Sequence, residues 1–235
     1  MRRRFMIQQN KVAFDFINYL TIEALEDGLS ISFTNDIEYG IDGCGWVYLP
    51  KNTYTPLFKS GQLISFRGNL TPENNIGIGR FTINKKCNLK GNCMSMLFGD
   101  NASDNFSLEG KNYAFCMLFE RCTTIISVSD DFLPATTLAR RCYYRMFYDC
   151  LNLITAPELP ATTLASACYQ CMFYACTKLN YIKMLATDIS ASSCLSDWVK
   201  NVASSGIFVK NTAMTSLPTG PSGIPSGWTV QNATS

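Results

Sequence analysis

The residues best equipped for chemistry are eleven cysteines, and their spacing argues against most of it. Cys168 and Cys171 form a C-x-x-C pair, a spacing used by zinc ligands and redox dithiols. A structural zinc site needs a second pair at suitable distance. The other cysteines instead recur at a fixed interval, and the counterpart of Cys171 one interval earlier is Arg145. Histidine is absent, which removes the commonest general base, the usual Ser/His and Cys/His nucleophile pairs, and the commonest zinc ligand. Glycoside hydrolysis needs two carboxylates roughly 5–10 Å apart. Asp130, Asp131 and Glu158 are candidates for it only through being acidic, and adjacent aspartates more often mark a solvated turn. No G-x-x-x-x-G-K-[ST] phosphate loop occurs, and Gly77-Ile78-Gly79 reads as a bend at a strand end. Neither a catalytic residue nor a metal or cofactor is expected.

Aromatic residues are the stronger lead. Tyr148 and Tyr174 hold one position a single interval apart, with Tyr144 beside them and Arg145 near. Aligned rings can stack on sugars, anchor a protein partner, or simply fill the gap between neighbouring elements. Tyr144, Arg145, Tyr148 and Tyr174 are therefore the candidate binding residues.

A repeat must position them. Residues 133–158 (LPATTLARRCYYRMFYDCLNLITAPE) and 159–184 (LPATTLASACYQCMFYACTKLNYIKM) agree at 14 of 26 positions without a gap. Upstream, Phe119 and Cys122 match Phe147 and Cys150 after a short adjustment of register. Downstream, Cys194 follows Cys168 at the same interval that separates Cys168 from Cys142, and Trp198 replaces Met172. Met96, Leu97 and Phe98 read as a decayed earlier unit. In each clear unit an apolar residue recurs at every fourth position: Leu138, Cys142, Met146 and Cys150, then Leu164, Cys168, Met172 and Cys176. That is the stripe of an amphipathic helix, entered through proline and capped by threonine. Short extended segments follow at 153–156 and 179–182. One helix and one strand in each unit of this length predicts a leucine-rich-repeat coil, whose units bury their apolar faces by stacking.

The pattern A-F-x-x-x-F-x-x-C-x-x-I from Ala114 to Ile125 resembles the BspA-like leucine-rich repeats of bacterial surface proteins. The LPATTLAxxCYxxMFxxC units resemble a longer variant found in Bacteroides-group proteins and in phages that infect those bacteria. YLTIEALEDG and IEYGIDGCGWVYLP resemble a β domain that precedes such repeats in phage proteins. The resemblance implies a non-enzymatic role in adhesion. Two settings follow from it: a virion fibre or decoration subunit that contacts the host surface, or a bacterial cell-surface adhesin. A purely structural virion subunit is a third. The implied partners are a host glycan or protein and other virion subunits, and fibre proteins imply a homotrimer.

The rest of the chain frames the repeats. Runs rich in β-branched and aromatic residues at 19–22, 29–33, 37–41, 46–49, 62–67 and 79–83 alternate with turn signals, predicting a small antiparallel sandwich. The expected organisation is an arm at 1–16, a β-sandwich-like domain at 17–84, leucine-rich repeats at 85–199 and a C-terminal β cap at 200–235. The fold class is thus α+β.

Length and charge bound the function. A chain of 235 residues can bury a substantial core, and 47% hydrophobic with 16% charged residues is ordinary for a folded protein. A net charge of +2, with Arg2, Arg3 and Arg4 isolated at the start, gives no nucleic-acid footprint. Gln8, Gln9, Asn10 and Lys11 interrupt the apolar stretch a signal peptide needs, and no window reaches the length of a membrane span.

Overall fold

The computed structural model describes residues 18–42 and 44–234. The arm predicted at 1–16 lies outside these residues. The described chain is mostly β, with three sheets, and it does not form the expected α+β leucine-rich-repeat solenoid.

The first strands are β1 (Leu20–Ala24), β2 (Ile31–Phe33), β3 (Ile37–Ile41), β4 (Val47–Leu49), β5 (Leu63–Arg67) and β6 (Phe81–Ile83). β7 (Cys87–Lys90) and β8 (Ile125–Val128) then complete a six-stranded sheet in the order β4-β3-β5-β1-β7-β8. Its pairings are antiparallel except β7 with β8, so the sheet continues past residue 84 into the repeat region. β2 and β6 form a two-stranded sheet. Phe81 of β6 meets Phe33 of β2 at 4.5 Å and Phe66 of β5 at 5.2 Å, closing the two sheets over one core. A single turn of α-helix, α1 (Ser95–Phe98), follows β7. A three-stranded parallel sheet, β11-β10-β9, comes last: β9 (Tyr181–Met184), β10 (Ile207–Lys210) and β11 (Thr229–Asn232). One buried cluster runs from Leu20 to Trp228.

The two predicted helices are runs of tight turns. Cys142, Met146, Cys150, Cys168, Met172 and Cys176 are all buried, so the four-residue stripe faces the core. The backbone, however, is not helical. Arg141, Arg145 and Asp149 have φ of 55°, 53° and 57°, and Ala167, Cys171 and Ala175 repeat this at 52°, 54° and 59°. A left-handed residue at every fourth position breaks any α-helix. The hydrogen bonds follow suit. The N–H groups of Cys142, Tyr144, Met146, Tyr148 and Cys150 each donate three residues back. Those between them cross to the next segment: Arg141 to the carbonyl of Ser166, Tyr143 to Cys168, Arg145 to Gln170, Phe147 to Met172 and Asp149 to Tyr174, at 2.9–3.1 Å. Residues 113–121 reach 140–148 in the same way, and 167–175 reach 192–200. A period of four in turns and a period near four in helices bury the same residues, so periodicity alone could not separate them.

Stacking in register aligns like residues into columns. Phe81, Phe119, Phe147 and Phe173 lie at successive centroid distances of 5.2, 5.7 and 5.7 Å with ring planes within 9°. Trp198 ends the column, tilted against Phe173 and edge-on to Phe208 of β10. Phe115, Tyr143 and Tyr169 form a second column at 5.8 and 5.9 Å. Where the β region meets the first turn segment, a side chain on Gly77 would come within 2.7 Å of the Tyr113 carbonyl, and its φ of +75° suits glycine.

Left-handed alanine is strained by roughly 1 kcal/mol relative to glycine. Ala175→Gly should therefore raise unfolding free energy by about 0.5–1 kcal/mol, read as a higher urea midpoint. In a helix the same change would lower it by a similar amount.

Candidate functional site

Alternation of inward and outward residues along each turn segment makes columns outside as well as in. Glu120, Tyr148, Tyr174 and Lys200 occupy one position on this face in four successive segments, and Met117, Arg145, Cys171 and Asp197 occupy another. The four sequence candidates fall on this face. Tyr148 and Tyr174 stack at 4.8 Å with planes 9° apart. The Arg145 guanidinium lies 4.0 Å from the Tyr148 ring centroid, and Lys200 Nζ caps Tyr174 at 5.6 Å. The order Arg145, Tyr148, Tyr174, Lys200 leaves the broad faces of both rings occupied from within. Hydroxyls and ring edges are what this column offers to a partner. Tyr144 stands nearby with Arg141 5.4 Å from its ring, and Arg141 also donates to the Tyr113 hydroxyl at 3.1 Å.

Glu120 fixes the column's upper end, and neither it nor Arg80 was evident as a partner from the sequence. Its side chain is only 5% exposed, yet it carries both Arg80 and Arg145 at 2.6 Å, one on each carboxylate oxygen. Burial would disfavour the Arg145 charge, but Glu120 and Tyr144 more than compensate, and its pKa lies above the ordinary arginine value. The pairing was hidden because Glu120 and Arg145 belong to successive repeats while Arg80 belongs to the β region. Around this anchor, Arg80, Arg121, Arg141, Arg145 and Lys200 outnumber the acids Glu120, Asp149 and Asp197, so the face keeps a positive excess.

The thiols sit elsewhere. Cys168 is buried and Cys171 half-buried, so the C-x-x-C pair points to different surroundings. Cys122, Cys150 and Cys176 donate their S–H groups to the carbonyls of Phe81, Phe119 and Phe147 in the preceding segment, at 3.3, 3.2 and 3.0 Å. Burial pushes the Cys116, Cys122 and Cys142 thiols up to about 12, and raises Cys150 and Cys176 as well. Among the described residues no three of His, Cys, Asp or Glu converge as a metal site, and no helix is long and apolar enough to cross a membrane.

Two of the clefts among the described residues lie away from the tyrosine column and gather charged side chains. One, of 330 Å³, is lined by Asp36, Glu38, Tyr48, Arg67, Asn69 and Asp100. Its charges close on each other: Arg67 binds Glu38 at 2.8 Å and both oxygens of Asp100 at 2.6 and 2.8 Å. The Arg67 hydrogen bond holds the Asp100 carboxyl below its ordinary value. The second, of 360 Å³, brings Asp130, Asp131 and Glu158 together beside Phe106. No family model matches the chain, and comparison with curated proteins and solved structures finds no match.

Two outcomes check this geometry. Glu120→Gln leaves two partly exposed guanidinium groups without their shared charge and should cost about 1–3 kcal/mol of stability by denaturant titration. Thiol titration at mildly alkaline pH should show Cys44 reacting fast, Cys171 slowly, and the buried thiols only on unfolding.

Proposed function

We propose that the chain is a non-enzymatic surface-binding protein, and that its setting is the one its repeats resemble: a virion surface subunit contacting the host cell. The supporting observation is the outward column of Tyr144, Tyr148 and Tyr174 hydroxyls among Arg141, Arg145 and Lys200, held on a backbone that is hydrogen-bonded to its neighbours on both sides. Preorganised donors of this kind lose little entropy on binding. A cationic face with hydroxyls suits an acidic host glycan, whose carboxylates accept charge-assisted hydrogen bonds. Sugar rings stacked on the tyrosine faces are not part of this reading, because Arg145 and Lys200 occupy those faces.

The test is binding of the full chain to Bacteroides-group cells with and without acidic capsule. Tyr144→Phe, Tyr148→Phe and Tyr174→Phe combined keep the stacked rings and remove only the hydroxyls. Capsule-dependent binding should fall at least tenfold in this variant, since each of the three lost hydrogen bonds is worth about 0.5–1.5 kcal/mol, while the melting temperature drops only slightly through the lost Tyr144–Arg145 bond. It should also weaken with added salt. Equal binding by the variant would place the contact on another face, and binding to no strain would leave a structural role within an assembly.

A further inference from the structure

Phe106 is an exposed aromatic residue on a fixed backbone. Its carbonyl accepts the N–H groups of Thr136 at 2.8 Å and Thr137 at 3.2 Å, and the Thr136 hydroxyl at 3.4 Å. Ser107 beside it bridges in parallel to Thr137. The residue is 52% exposed. The adjoining groove is walled by Pro134 and Pro160, which occupy one position in successive repeats, and edged by Asp130, Asp131 and Glu158. Glu158 is neutralised by Lys183 at 2.7 Å. Among the described residues, the Asp130 and Asp131 carboxylates accept no hydrogen bond and make no ion pair within 4 Å, although Asp130 feels the Lys183 charge. This groove therefore differs from the Arg67 cleft, whose charges satisfy one another, and from the cationic tyrosine face.

We propose that the groove is a second binding site, for an uncharged pyranose saccharide, with the C–H face of the sugar on Phe106 and its hydroxyls donating to Asp130 and Asp131. A sugar ring presents an apolar face and several donors together, matching an apolar wall under an acceptor-only rim. Its size suits a groove near the lower end of small-ligand sites. Asp130, Asp131 and Glu158 outnumber Lys183, so the rim stays negative and repels an acidic glycan, and this ligand differs in charge from the one proposed for the tyrosine face. The site shares with that proposal only the premise of a surface-binding protein and needs none of its residues.

Ligand-observed NMR on the full chain tests it, with methyl mannoside, methyl galactoside, N-acetylglucosamine and glucuronate as probes. At least one uncharged probe should bind in the millimolar range and glucuronate should not. Phe106→Ala should weaken that binding about tenfold without changing the melting temperature. Asp130→Asn with Asp131→Asn should admit glucuronate. The triple Tyr→Phe variant should bind the uncharged sugar as the parent does, so the two sites fail or hold separately. Binding of no uncharged probe, or equal binding by Phe106→Ala, overturns the proposal. Phe106-dependent binding of an oligo-arginine peptide without any sugar overturns it in favour of a basic peptide groove.

Discussion

An N–H group that finds no acceptor within its own segment must find one across a gap, and here the acceptor lies one repeat further along the chain. The rest of the repeat region depends on this. A left-handed residue at every fourth position turns alternate N–H groups outward from the local turn, where an unbonded buried donor would cost about 1–3 kcal/mol. The next segment supplies the carbonyls in register. Each segment thereby satisfies the one before it, and the strain of non-glycine residues at positive φ is offset by bonds that no isolated segment could make.

Register then decides the side chains. Because each segment repeats the conformation of the last, residues of one type lie directly over one another, and the phenylalanine column continues from Phe81 in the β region through to Phe173. That column ties the sheets and the turn stack into one core, and the six-stranded sheet reaches the repeat region through β8, with one shift of register at Cys87 and Asn88. Small buried thiols fit between the columns and donate weakly to carbonyls of the preceding segment. Their value is shape and a modest bond rather than reactivity, as burial holds them protonated.

The same register has an opposite consequence outside. Tyr148 and Tyr174 come so close that each covers a face of the other, and the flanking cations cover what remains. Repetition makes a rigid display of edges and hydroxyls and removes the open ring face. Phe106 lies before the first full repeat and stays 52% exposed. Position relative to the repeat, more than residue type, separates the two kinds of aromatic surface.

Much of this protein was legible in the residues themselves. The repeat interval, the burial of Cys142, Met146, Cys150 and their counterparts, and the strand segments from Leu20 to Ile83 follow from identity and spacing, because side-chain hydrophobicity is a local property. The equivalence of Tyr148 and Tyr174 follows from the repeat interval, while their stacking needed the segments to meet. The backbone of the repeats did not. An apolar residue at every fourth position serves a helix and a chain of turns alike, and only carbonyls supplied by another segment decide between them. Likewise the Arg80–Glu120–Arg145 anchor and the meeting of Phe106 with Asp130 and Asp131 join residues distant in sequence. Tertiary structure alone decided these, since an ion pair or a groove exists only once separate segments are brought into contact with each other.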